Sequence, residues 1–215
     1  MSFLRTQGLS ESNLQYASGF VRNVHALVQE FNPQTHDILN GFLSNMLAYE
    51  HGVATTIVAC LIARQTGMKA DSAIKIVGLS SMLHDIGLYQ MALEIQDEDQ
   101  SKMNADQQKL YRTHPTVGAQ ILRSIRNMDD AVVQAVAQHH ERRDQKGFPA
   151  KLGAGKIYQV AEIVGLSDEF VRLILKTKMN PKTDLQKELD LGVLNGFSHP
   201  VVGAFREVVF PVMEE

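Results

Sequence analysis

Cysteine is almost missing from this chain. Cys60 is the only one in 215 residues, so no disulfide can form within the chain, and a reducing compartment suits it. A charge excess is missing too: 21 lysines and arginines against 24 aspartates and glutamates leave a formal net charge of −3. That balance gives no reason for non-specific attachment to a nucleic-acid polymer or a membrane surface, so any basic patch must be local. No apolar run reaches the roughly 18 residues of a membrane span, and Met1 to Gln7 lacks a secretion-type apolar core. The expectation is a soluble, cytoplasmic protein. Strand-like alternation, internal repeats, low-complexity tracts and long linkers are also absent.

What is present has helical spacing. Ser10 can cap a helix to about Phe31, with Leu14, Val21, Val24, Val28 and Phe31 along one side. Asn32-Pro33 ends it. Thr35 can cap the next, which turns Ile38, Leu39, Phe42, Leu43 and Met46 inward. A helical pattern then runs past Tyr49-Glu50-His51-Gly52 to Ala63, and Gly67 closes it. Asp71 is expected to cap the helix that carries Ala73, Ile74, Val77 and Met82 into His84-Asp85. Residues 88–102, with the acidic cluster Asp97-Glu98-Asp99, read as a loop with at most one short helix. Asn104 and Gln107 form a capping-box pair that starts a helix to His114, and Pro115 suits the opening of another. Asp129 or Asp130 caps Ala131 to His140. A loop rich in glycine and lysine spans 141–155, and helices follow over 157–175 and 183–191 and from Pro200. The expected fold is all-α, a bundle of about eight or nine helices. An N-terminal helical extension over 1–34 precedes a domain over 35–215.

Five of the eight histidines, His51, His84, His114, His139 and His140, lie on or at the ends of four of these helices. Asp85 and Asp168 add carboxylates. Taken singly, each has an ordinary reading: a satisfied contact at a helix end, a capping group, an exposed pair. Together they offer seven nitrogen and oxygen donors, which suit two divalent ions such as Mn, Fe or Zn. Without cysteine among them a thiolate zinc site is disfavoured. A carboxylate can bridge two ions, which makes Asp85 the natural centre. On a continuous helix His139 and His140 would point about 100° apart, one toward each ion or its surroundings. His36-Asp37 repeats the dipeptide without partners at fitting distances, and His25 and His199 read as surface or capping residues.

In order and spacing, His51, His84-Asp85-Ile86-Gly87, His114-Pro115, His139-His140-Glu141-Arg142, Gly147-Phe148-Pro149 and Asp168 resemble the HD-GYP subfamily of HD-domain phosphohydrolases. Phe148 stands where that subfamily has tyrosine. The resemblance covers about residues 50–170. It implies a helical bundle around a di- or trinuclear centre of iron or manganese. It also implies hydrolysis of cyclic di-GMP, or a related cyclic dinucleotide, to linear pGpG or GMP in signal transduction. Carried over by position, His51, His84, Asp85, His114, His139, His140 and Asp168 are the metal ligands, with Asp85 bridging and catalytic.

The sequence departs from that pattern at three places. Leu88 replaces the lysine after the HDIG motif, Leu47 a glutamate of trinuclear members, and Glu162 an arginine. These departures favour two ions. The chemistry expected of such a centre is a hydroxide bridging ions about 3.5–4 Å apart and attacking phosphorus in line. Substrate phosphates would meet Arg142, Arg143 and Lys146 of the loop, with Lys176 and Lys178 beyond Asp168, and Phe148-Pro149 would wall in a base. Two alternatives stay open: a regulatory or binding module with little turnover, and a phosphohydrolase for another nucleotide. The first helix is free to pack on the bundle, to form a homodimer or to meet a signalling partner.

Overall fold

The computed structural model describes residues 10–30, 36–45, 51–91 and 102–210; of 11, 36–38 and 40 it describes the backbone alone. Phe31, the boundary at Asn32-Pro33, Thr35, Met46, Leu47, Tyr49-Glu50 and the acidic cluster Asp97-Glu98-Asp99 lie outside the described residues, as do the side chains of His36, Asp37 and Ile38. Among the described residues every regular element is helical, as the spacing predicts. In order they are α1 (Glu11–Gln29), α2 (His36–Asn45), α3 (His51–Gln65), α4 (Asp71–Leu83), α5 (Ala105–Tyr111), α6 (His114–Arg123), α7 (Asp130–Gln138), α8 (Gln159–Met179), α9 (Leu185–Glu188) and α10 (His199–Val209). A short 3-10 turn, Ile86–Gln90, follows α4, and α9 runs on into a π turn, Leu189–Val193, and a 3-10 turn, Leu194–Gly196. No helix among them is long and apolar enough to cross a membrane.

Local chemistry sets most of the ends. The Ser10 side chain accepts from the Asn13 amide at 3.2 Å. Asn104 and Gln107 exchange both bonds of a capping box, at 2.9 and 3.0 Å. Gly67, at φ +91°, closes α3 with its own amide on the Arg64 carbonyl and that of Met68 on Ala63, the paired bonds of a Schellman stop. Two expectations shift. Ala70, not Asp71, holds the extended cap position of α4, and Asp71 lies inside the first turn, where its charge faces the positive end of the helix. The helix expected over 131–140 stops at Gln138, so His139 and His140 occupy the turn beyond it.

α3 is buried on all sides, with Ala54, Val58, Ala59, Cys60, Leu61, Ile62 and Ala63 in the core. A helix apolar all round belongs in the centre, and α3 packs against α1, α4, α8 and α10. One apolar cluster joins α3 to α8 and α10, and a second joins α4, α6 and α7. α1 enters both: Val24 and Val28 join the first, Ala17 and Val21 the second. Glycine is required where the 3-10 turn crosses α6. A Cβ at Gly87 would lie 2.1 Å from the His114 carbonyl oxygen, and one at Gly165 would lie 2.1 Å from that of His139. Both contacts draw histidine-bearing backbone inward.

Two outcomes follow. Gly87→Ala forces backbone apart in a packed interior and should cost about 2–3 kcal/mol, read as a lower midpoint in denaturant unfolding. Burial pushes the Cys60 thiol up to about 12, so iodoacetamide at pH 8 should leave it unlabelled until denaturant is added; rapid labelling of the native protein contradicts its placement.

Candidate metal centre

The histidines gather because helix ends do. His51 opens α3, His84 and Asp85 follow α4, His114 opens α6, and His139 and His140 follow α7. Asp168 lies midway along α8 and is fully buried, and the other six are each at most 7 % exposed. All seven predicted donors are therefore brought together.

They form two groups that share one residue. In one, His51, His84, Asp85 and Asp168 place ligand atoms within 4.8 Å of one another; in the other, Asp85, His114, His139 and His140 do so. His51 Nε2 is 2.8 Å from Asp168 Oδ1, and His84 Nε2 is 3.3 Å from both that oxygen and Asp85 Oδ2. Asp85 Oδ1 turns the other way, 3.4 Å from His114 Nε2 and 4.0 Å from His139 Nε2. His139 and His140 both join the His114 group, their ring centres 4.2 Å apart. The expected division of the pair between two ions is not what the donor groups show, since both rings fall with His114.

One bond recurs. The Nδ1 atoms of His84, His114 and His139 lie 2.6, 2.8 and 2.7 Å from the backbone carbonyls of Ser81, Tyr111 and Val136, each three residues earlier. A carbonyl has no hydrogen to give, so each Nδ1 carries the proton, and in the neutral ring Nε2 is left with a lone pair. These carbonyls belong to the last turns of α4, α5 and α7, where helices leave acceptors unmet. The rings thus cap helices with one nitrogen and face the site with the other.

The donor set suits divalent ions. His114 Nε2 and His139 Nε2 stand 3.1 Å apart; two neutral rings would point lone pairs at each other there, an arrangement that a cation between them satisfies. Burial pulls His114 down to about 4 despite the Asp85 charge, and burial and the neighbouring rings hold His139 and His140 well below the usual imidazole range. Asp85 Oδ1 and Asp168 Oδ2 are buried without hydrogen-bond partners, an expense that metal ligation offsets.

The His51 group differs in charge. Burial works against the His84 proton, but the Asp85 charge and the bonds to Asp168 and Asp85 outweigh it and push this histidine to about 10. Burial raises both carboxyls. His84 and Arg172 reverse that for Asp85, and Arg172 with the bonds from His51 and His84 does so for Asp168. Both stay well below the usual range. Arg172 was not anticipated. Its Nε donates to Asp168 Oδ1 at 2.8 Å and its Nη2 to Asp85 Oδ2 at 3.0 Å. The available signal was its place four residues after Asp168, on the same helix face.

The five cations expected to meet substrate have other contacts. Arg142 donates to the His139 and Glu141 carbonyls and to Glu169, and lies over Phe197. Arg143 reaches Glu162 at 3.5 Å. Lys146 pairs with Asp144, Lys176 with Glu188, and Lys178 is exposed. Glu162 itself is buried and accepts from the Ser198 amide and hydroxyl, which fixes the start of α10. Phe148 stacks on His140, with centroids 4.4 Å apart. Leu88, in place of lysine, is buried with Met103 and Tyr111, and Met91 and Phe148 pack against them. His25 is 3.6 Å from Asp71, and His199 is exposed.

A family model described as HD domain matches residues 35–191. The chain is 28 % identical over 155 residues to the cyclic di-GMP phosphodiesterase PA4108 of Pseudomonas aeruginosa, covering 72 % of this chain and 37 % of that protein. It is 27 % identical over 183 residues to the cyclic di-GMP phosphodiesterase response regulator RpfG of Xanthomonas campestris pv. campestris, covering 80 % and 47 %. It is 29 % identical over 129 residues to 3'3'-cGAMP-specific phosphodiesterase 2 of Vibrio cholerae, covering 59 % and 24 %. The chain spans less than half the length of each of these relatives. Among solved structures, Bd1817, a HDG"Y"P protein from Bdellovibrio bacteriovorus, superposes with a TM-score of 0.76 over 97 % of this chain and 67 % of that one, at 19 % identity. The likeness to it is one of fold.

The two donor groups should take up ions differently with pH. Below about 10 an ion entering the His51 group must displace the His84 proton, whereas above about 4 the His114 ring is already neutral. Affinity at the His51 group should rise about tenfold per pH unit between pH 6 and 8, and at the His114 group it should stay nearly flat. Mn²⁺ titration calorimetry at three pH values checks this; two flat profiles contradict it.

Proposed function

The chain belongs to the HD-domain family, and from that premise we propose that it is a metal-dependent phosphodiesterase acting on a cyclic dinucleotide, cyclic di-GMP first among them. The observation that carries the reading is the carboxylate of Asp85, with one oxygen toward each donor group. We assign His51, His84, Asp85 and Asp168 to one ion and Asp85, His114, His139 and His140 to the other. Iron or manganese suits a set of five imidazoles and two carboxylates without thiolate. Divalent ions held there supply Lewis acidity toward a phosphate diester and make water a nucleophile near neutral pH.

The chain's own residues orient and enclose. The backbone carbonyls hold His84, His114 and His139 with Nε2 inward. Phe148 stacks on His140 and keeps that ring in place. Leu88 and Met103 pack with Tyr111 beside the site, and the Tyr111 hydroxyl lies 3.4 Å from His140 Nε2. Surface pairings such as Lys146–Asp144 and Lys176–Glu188 are worth only about 0–1 kcal/mol, so in this reading Lys146, Lys176 and Lys178 can turn to substrate phosphate. Arg142 and Arg143 support the loop after His140. One observation favours a second reading, a binding module with little turnover: the position that carries lysine in the HD-GYP pattern is Leu88, buried in an apolar cluster.

The test is incubation of Mn- or Fe-loaded protein with cyclic di-GMP and 3'3'-cGAMP, with products separated by chromatography. Linear dinucleotide or mononucleotide is expected. Asp85→Ala should lower the rate by more than the roughly 10–100-fold that changes behind metal ligands cost, and it should lose both ions. Full ion loading with no turnover of either compound leaves the binding module or a phosphohydrolase for another nucleotide.

A further inference from the structure

The two donor groups are not equally open. Asp85 Oδ1 faces His114 and His139 and has no hydrogen-bond partner. The His114 group can therefore receive an ion while the carboxylate keeps its other contacts. In the His51 group two carboxylate oxygens are taken, and of those on its side only Asp168 Oδ2 is without a partner. Asp168 Oδ1 already receives Arg172 Nε at 2.8 Å and His51 Nε2 at 2.8 Å, and Asp85 Oδ2 receives Arg172 Nη2 at 3.0 Å. Those two oxygens are also the ones that face His84 Nε2, each at 3.3 Å.

A guanidinium is charged at every accessible pH, planar and forked, so it can span two carboxylates as a divalent ion does. An ion and a guanidinium on the same oxygen edges repel each other, and the repulsion is poorly screened in a buried site. Arg172 sits on a long side chain, 11 % exposed, one helical turn after Asp168. It can withdraw without unfolding α8.

We propose that Arg172 is a built-in competitor for the ion of the His51 group. It holds Asp85 and Asp168 together as an internal cation while that group is empty, so the His114 group fills first. This rests on the two-ion assignment above and concerns how the site is loaded. Arg172 acts through Asp85 and Asp168 and is a positioning residue.

The test is Mn²⁺ binding to the full chain, wild type against Arg172→Gln and Arg172→Lys, at one pH and without substrate, followed by calorimetry and by the electron spin resonance of free Mn²⁺. Wild type should show a tighter and a weaker class of ion. Arg172→Gln should tighten the weaker class about tenfold or more and leave the tighter class unchanged. Arg172→Lys, whose single ammonium cannot span both carboxylates as a fork does, should tighten it by a smaller factor. Circular dichroism and thermal unfolding establish that each variant is folded, and the Lys variant carries the test should Gln fail to fold. A weaker class that is unchanged or weaker in the folded variants overturns the proposal, since a residue that merely props the carboxylates gives that result. One class of ion, or none, in wild type overturns it together with the two-ion assignment. Two classes without turnover remove only the phosphodiesterase reading.

Discussion

Each of three buried imidazoles is held by the same bond, from Nδ1 to the carbonyl three residues back. It settles two accounts at once. The last carbonyls of α4, α5 and α7 gain a donor that the helices cannot supply, and the tautomer of each ring is set so that Nε2 points inward. Positions of His84, His114 and His139 are therefore consequences of where helices stop. The stopping points meet because backbone can approach backbone: Gly87 lets the 3-10 turn touch the His114 carbonyl, and Gly165 lets α8 touch that of His139.

Charge is the second constraint. Asp85 and Asp168 are buried, and ionised carboxylates survive burial only with partners. The His84 proton and the Arg172 guanidinium are those partners here. Two further buried acids do structural work around the centre. Glu141 accepts from the Ala150 and Leu152 amides at 2.6 and 2.7 Å, folding back the loop that brings Phe148 over His140. Glu162 ties α8 to Ser198 and Arg143. The arginine of the HD-GYP pattern is thus replaced by a group of opposite charge that has gained its own donors.

Most of the helices could be read from residue order, since caps and apolar spacing are local, and so could the seven residues that the fold gathers into two groups, four of them in the strings HDIG and HHE and the rest by order and spacing. What could not be read depends on three dimensions. Asp71 and Ala70 compete for one cap position, and side-chain type alone favours the wrong one. The end of α7 at Gln138 is marked by no breaker residue. Arg172 looks like one more surface cation on a helix that also carries Lys176 and Lys178; its spacing puts it on the face of Asp168, but only the fold shows that this face also meets Asp85. Leu88 reads as a lost lysine until the structure places it with Met103 and Tyr111.

The capped histidines have one more consequence. Their orientation is settled by the polypeptide alone, so these three rings are a finished part of the mould, whereas the carboxylate edge spanned by Arg172 is not. A mould of imidazole and carboxylate discriminates poorly among first-row divalent ions, whose intrinsic preferences follow a common order. Under the proposed two-ion reading, what such a mould holds would follow supply more than ligand chemistry.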